Sequence, residues 1–348
     1  MIRVLVAEDS LTARQLLVAV LEEDPELQVV GQAGNGVEAV ALTKSLRPDL
    51  VTMDLHMPLL DGFEATKQIM IEAPTPIVIV SASEQVGEVK LAMHALRMGA
   101  LTVLEKPVSP AAPEFAELCA TLRSTVKALA YVKVVRRWRE RTTAEVALAP
   151  RPEPVAGVRL VALAASTGGP AVLQRLLGEL PGTFPVPIAV VQHIARGFVP
   201  GFVAWLNTGC PLQVRLAHDG EALLPGHVYL APEEHHLGVT EALRAHLTTS
   251  PPVGGFRPSA TQLFASAAQH LGGQVVAAIL TGMGNDGVEG LVALRRAGGI
   301  VLAQDEASSV VYGMPGAAVA AGAVHEVLPV SRLAERIHDL VHRGGGQR

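Results

Sequence analysis

Three residues able to share nucleophilic chemistry, Ser166, His193 and Asp286, each follow a short aliphatic run, in the tracts VALAASTGGP, AVVQHIARGF and AAILTGMGNDG. A serine hydroxyl attacks a carbonyl only when a base takes its proton, and an imidazole serves best when a carboxylate fixes its tautomer. Ser166 stands before two glycines and a helix that can open at Pro170, close to a nucleophile elbow with Ala164 at the first glycine position. Bland roles fit the same residues: Ser166 and Thr167 as helix caps, His193 as a hydrogen-bonded loop residue, Asp286 as the cap of a helix at Val288. A third reading takes Gly282 to Gly287 as a G-x-G-x-x-G dinucleotide loop, with Asp305 as the ribose acid. Asp286 inside that turn would face the pyrophosphate with a like charge.

A second constellation is acidic. Glu8 and Asp9 end the first aliphatic run, Asp54 ends the third, Ser81 ends the fourth and Lys106 follows the fifth. Three carboxylates in one crevice repel unless a hard cation sits among them, and Mg²⁺ takes carboxylate oxygens readily. Asp54 could then accept a phosphoryl group as a carboxylate nucleophile. Lys106 would neutralise phosphate charge and the Ser81 hydroxyl would bond its oxygens.

Both constellations need strands to carry them. From residue 2 to about 122, five aliphatic runs alternate with amphipathic stretches, which predicts a parallel, doubly wound sheet. The helix from about Glu114 keeps its spacing through KALAYVKVVRRWRERT while turning basic, which reads as a solvated face. Residues 142–157 carry three prolines without a period and read as part of a linker. A second α/β domain starts near Val158, with strands at VRLVALAAS, PIAVVQH, Gln213 to Leu216, HVYLAP, VVAAILTG and GIVLAQD. The expected domains are therefore 1–122, a helical and proline-containing linker over 123–157, and 158–348.

Composition agrees: 49% hydrophobic with only 3% aromatic residues suits aliphatic strands under small-residue helices. A formal charge of −5 leaves no basic footprint for nucleic acid. Cys119 and Cys210 are too far apart for a ligand pair and imply a reducing compartment. No apolar run reaches the roughly 18 residues of a membrane helix, and the start MIRVLVAEDS is acidic where a signal peptide stays apolar. A cytoplasmic protein without membrane insertion is expected.

DLHMPLLDG and EKP resemble the response-regulator receiver family over residues 1–122. Receivers usually carry an aromatic switch residue three positions before the lysine, where this chain has Val103. From Val158 to about Val327, ASTGGP, VQHIARGFVPGFVAWLN, HDGEALLPGHVYLAP, RPSATQLFAS, LTGMGNDGVEGLVALRRAGG and QDEASSVVYGMP resemble the chemotaxis protein-glutamate methylesterase family, CheB, in the family's order.

The resemblance implies a flavodoxin-like receiver followed by a Rossmann-like serine hydrolase. It implies a phosphorylation-regulated enzyme that hydrolyses glutamate γ-methyl esters of methyl-accepting chemoreceptors and deamidates glutamine, with a chemotaxis-type histidine kinase as phosphodonor. Carried over by position, Ser166 is the nucleophile, His193 the base and then acid, and Asp286 the group that orients it. Thr167 and Met283 flank the site, with the Met283 N–H helping to hold the oxyanion. The receiver takes Mg²⁺ through Glu8, Asp9 and Asp54, and ester hydrolysis needs no cofactor. A non-catalytic receiver-containing adaptor is the alternative. Where the family usually reads Arg-Pro-Ser-Val-Asp, this chain has Arg257-Pro258-Ser259-Ala260-Thr261, which removes a carboxylate near the cleft.

Overall fold

The computed structural model describes residues 1–81, 86–132, 134 and 157–343, which form two compact units. The expected run of helix beyond residue 134 and the linker up to residue 156 lie outside the described residues.

The first unit alternates strand and helix without exception: β1 (Ile2–Ala7), α1 (Leu11–Glu22), β2 (Leu27–Ala33), α2 (Gly36–Leu46), β3 (Leu50–Met53), α3 (Gly62–Glu72), β4 (Ile77–Ser81), α4 (Val86–Met98), β5 (Thr102–Glu105) and α5 (Phe115–Leu129). The strands pair in parallel in the order β2-β1-β3-β4-β5. β3 and β4 are buried along their whole length, as strands covered by helices on both faces must be. Side chains just ahead of three helices cap them: Ser10, Asn35 and Asp61 each accept the N–H three residues on. α5 continues past residue 122, burying Thr125, Val126 and Leu129. Its Arg123 pairs with Glu23, and its Lys127 with Asp24 and Glu26.

The second unit runs β6 (Leu160–Ala165), α6 (Gly169–Gly178), β7 (Ile188–Gln192), α7 (Val199–Asn207), β8 (Gln213–Leu216), β9 (His227–Leu230), β10 (His236–Val239), β11 (Ala245–Thr248), α8 (Ala260–His270), β12 (Val275–Ile279), α9 (Val288–Arg296), β13 (Ile300–Gln304), α10 (Gly313–Ala320), β14 (Glu326–Leu328) and α11 (Val330–Arg343). Seven strands form one parallel sheet, ordered β14-β13-β12-β6-β7-β9-β8. The chain leaves β6 toward one edge, then returns to build β12, β13 and β14 on the other side. The order of strands thus reverses beside β6, where open α/β sheets bind their ligands. β10 and β11 form a separate antiparallel hairpin on α8, where Ser266 Oγ bonds both the N–H and the C=O of Val239.

α8 and α9 pack closely where α9 opens. Phe264 is fully buried and lies against the turn that opens α9, and a Cβ on Gly290 would stand 2.5 Å from Thr261 O and 2.8 Å from Phe264 Cβ. Two helices can approach this closely only over glycine. Phe264→Ala is expected to lower stability by about 3–5 kcal/mol, visible as a lower urea midpoint by circular dichroism. An unchanged midpoint would contradict this packing.

Candidate active site

Ser166, His193 and the loop carrying Asp286 follow β6, β7 and β12, three adjacent strands of one sheet. The ladder extends one step beyond the strands, because His193 N–H donates to Ala165 O at 3.0 Å and Ser166 N–H to Thr281 O at 3.0 Å. Ser166 and His193 therefore stand side by side at the carboxyl edge. After Ser166 the chain turns through Gly168, whose φ of 77° is left-handed and whose Cβ, if present, would meet Val310 at 2.5 Å. Gly282 faces Ser166 from the neighbouring loop, and a Cβ there would press on Ser166 Cβ at 2.8 Å and on Met314 Sδ.

His193 is held on two sides. Its ring lies flat on Phe256, with centroids 4.2 Å apart and planes within 3°. Its Nε2 stands 3.0 Å from Asp286 Oδ2, a close approach without the alignment of a linear hydrogen bond. Nδ1 is buried and takes no hydrogen bond, which leaves it as the nitrogen able to exchange a proton with a neighbouring hydroxyl.

Asp286 does not cap the helix that follows it. Gly287 takes that position, and the Asp286 carboxylate crosses to the start of α8. There it accepts Ser259 Oγ–H at 2.7 Å, Ala260 N–H at 2.7 Å and Thr261 N–H at 3.1 Å. Burial alone would raise its pKa, but His193, Ser259 and the Ala260 N–H overcome this and hold it at about 2. A dinucleotide loop would need the N–H at the start of α9 for pyrophosphate, and Thr261 Oγ1 already takes Gly287 N–H at 2.8 Å.

The residues expected to support an oxyanion lie at the same edge. Thr167 is buried in the turn after Ser166 and Met283 is half-buried in the loop after β12. None of the described hydrogen bonds uses the N–H of either. Several neighbours carry no signal that sequence reasoning used. Gln192 donates from Nε2 to Ser166 O at 2.8 Å and to His193 O at 2.7 Å, tying two loops together. Gln304 Oε1 accepts Thr281 N–H at 2.8 Å. Each is a polar residue closing a wholly aliphatic strand, and that pattern could have marked them.

In the first unit the strand ends bring together every residue expected there. Lys106 Nζ lies 2.6 Å from Glu8 Oε2 and 3.1 Å from Asp54 Oδ1, all three side chains being buried. Leu55 N–H donates to Asp54 Oδ1 at 2.9 Å, and Lys106 N–H to Ser81 O at 2.9 Å. Carboxylate oxygens of Glu8, Asp9 and Asp54 lie within 4.8 Å of one another. Burial raises the pKa of Glu8 and Asp54 while Lys106 pulls both down. Burial lowers that of Lys106, but Asp54 and Glu8 more than reverse it. One ammonium cannot balance three carboxylates, so this oxygen-only cluster fits a hard divalent cation such as Mg²⁺.

Residues 161–337 match the family described as CheB methylesterase, and residues 4–114 match the response regulator receiver domain. A Myxococcus xanthus protein named protein-glutamate methylesterase/protein-glutamine glutaminase 4 is 56% identical over 99% of this chain and 98% of its own length. An Anaeromyxobacter dehalogenans protein of the same description, numbered 3, is 54% identical over 97% of this chain and 98% of its own length. The crystal structure of the Thermotoga maritima CheB methylesterase catalytic domain superposes with a TM-score of 0.52 at 37% identity, covering 54% of this chain and all of that one.

The chain belongs to the CheB methylesterase family.

Two of its departures, Ala164 from the usual CheB pattern and Val103 from the usual receiver pattern, are buried in strands. Ala164 is fully buried in β6, in register with Val191 and Ile279, and points no polar group at the site. Val103 is buried in β5. Because Asp286 is held below its ordinary pKa, its ionised form contributes stability that is present above pH 4 and is lost as pH falls toward 2. Asp286→Asn is thus expected to cost about 2 kcal/mol near neutral pH. That penalty should shrink as pH falls from about 4 to 2, measured as urea midpoints of both proteins across the range. A penalty independent of pH would show that the carboxylate's charge does not matter to the fold.

Proposed function

We propose that this CheB-family chain is a phosphorylation-regulated protein-glutamate methylesterase and protein-glutamine glutaminase that acts on methyl-accepting chemoreceptors in the cytoplasm. The observation that carries the reading is the seating of Asp286 against His193 beside Ser166, at the ends of three neighbouring strands. Fixed by Phe256 on its face and by Asp286 at Nε2, the His193 ring offers Nδ1 to the Ser166 hydroxyl. Ser166 Oγ attacks the γ-carbonyl carbon as its proton passes to His193, and the carbonyl oxygen becomes an oxyanion facing the free N–H groups of Thr167 and Met283. Collapse of that intermediate breaks the bond to the methoxy oxygen, which takes the proton from His193 and leaves as methanol. A water molecule then gives its proton to His193 and attacks the acyl carbon, releasing glutamate and restoring Ser166. With glutamine the leaving group is ammonia, by the same sequence of transfers.

Asp54 is the phosphorylation site, with Lys106 and Ser81 beside the incoming phosphoryl oxygens and a chemotaxis-type histidine kinase as donor. Glu8, Asp9 and Asp54 would hold Mg²⁺, which supplies charge neutralisation for phosphoryl transfer.

Methanol release from methyl-labelled receptor membranes tests both halves. Ser166→Ala should abolish release with circular dichroism unchanged; wild-type turnover in that variant would remove Ser166 from the reaction, and no release by the wild-type protein would favour an adaptor. Acetyl phosphate with Mg²⁺ should raise release by the wild-type protein, while Asp54→Asn should stay at its basal rate. An equal response in Asp54→Asn would place the phosphate elsewhere.

A further inference from the structure

Thr281 is fully buried two residues past β12, and every hydrogen-bonding group it owns is used. Its Oγ1 lies 3.0 Å from both Val310 N and Val311 N, which fill the two acceptor positions of a hydroxyl. The single proton is left for a carbonyl, and Thr167 O at 2.9 Å is closer than Val311 O at 3.3 Å. On the main chain, Thr281 O accepts Ser166 N–H at 3.0 Å and Thr281 N–H donates to Gln304 at 2.8 Å. One residue therefore grips the nucleophile on its N-terminal side, the peptide after Thr167 on its other side, and the loop at 310–311 that packs on Gly168. Two residues further along the chain is Met283.

We infer that Thr281 is a positioning residue for hydrolysis, an inference that rests on the methylesterase reading above. Its hydroxyl fixes the turn that presents the Thr167 N–H, and its backbone fixes the start of the loop that presents the Met283 N–H. The two donors assigned to the oxyanion are held at one spacing by a single residue, one through its hydroxyl and the other through its backbone. Such donors stabilise charge only when they need no rearrangement as it develops, so the effect belongs to turnover and not to substrate binding.

The test uses the full-length protein and a concentration series of methylated receptor membranes. Thr281→Val keeps the side chain's shape and removes the hydroxyl; Thr281→Ser keeps the hydroxyl and removes the methyl. Thr281→Val should lower kcat on the order of 10- to 100-fold with KM within about twofold. Thr281→Ser should restore kcat to within a few-fold of wild type. Wild-type kcat in Thr281→Val, or equal impairment in Thr281→Ser, would overturn the inference, the latter because packing of the methyl would then explain the loss. If Thr281→Val does not fold by circular dichroism, Thr281→Cys replaces it, since a thiol fills similar space with a weaker, longer hydrogen bond. Lowered kcat at unchanged KM in that variant supports the role, and wild-type kcat removes it. A wild-type protein that releases no methanol sinks the methylesterase reading itself, whereas an active wild type, an inactive Ser166→Ala and an unimpaired Thr281→Val sink only the role of Thr281.

Discussion

The second unit is organised around one buried negative charge. An ionised carboxylate removed from water costs several kcal/mol unless donors replace its hydration. Asp286 finds them at the N-terminus of α8, where two backbone N–H groups and the Ser259 hydroxyl converge on it. A helix terminus has such donors to spare and carries a partial positive charge. The segment leading into α8 is in turn fixed by His236 on β10. Its Nδ1 accepts Ser259 N–H at 3.2 Å, which places the ring proton on Nε2, 3.2 Å from Pro251 O. Moving the carboxylate would leave the start of α8, the opening of α9 and the His193 ring without a common partner.

The two units solve the same electrostatic problem in opposite ways. Both gather acidic groups at the carboxyl ends of parallel strands. In the second unit burial works against the charge, but His193, Ser259 and the Ala260 N–H hold the acid's pKa at about 2 and keep it an anion suited to orienting an imidazole. In the first unit burial raises the pKa of Glu8 and Asp54 although both share Lys106, and with Asp9 three carboxylates face one ammonium. An under-compensated cluster is responsive: a cation or a change in the charge on Asp54 alters its balance sharply. Permanence suits a catalytic orienter and responsiveness suits a switch.

Legibility in the sequence depends on how local each signal is. Central strands such as β3, β4, β6, β7, β12 and β13 are mostly aliphatic because both faces are covered, so their runs stand out in the sequence. The polar residues that end them mark the sheet's carboxyl edge, and this brings Ser166, His193, Asp54 and Lys106 into view. The hairpin β10–β11 escapes a sequence reading because its strands span four residues each and derive their order from packing on α8. α10, with the sequence GMPGAAVA, lacks both a polar face and a side-chain cap. The partners of Asp286 are invisible for a different reason: Ser259 lies 27 residues away in sequence, and nothing in Arg257-Pro258-Ser259-Ala260-Thr261 says which carboxylate its N–H groups will meet. Phe256 likewise declares itself only once it lies on the His193 ring.

The replacement of the usual acid by Thr261 obeys the same electrostatics as the seating of Asp286. Thr261 N–H donates to Asp286 while its hydroxyl accepts Gly287 N–H, so one residue joins α8 to the opening of α9 from both directions. A carboxylate oxygen could accept that N–H equally well, but it would set a second negative charge beside Asp286. Like charges at that distance disfavour ionisation of both groups and work against the low pKa of Asp286. The hydroxyl keeps the geometric link and omits the charge. The change therefore keeps the mutual support of α8, α9 and Asp286 and leaves no second carboxylate beside Asp286.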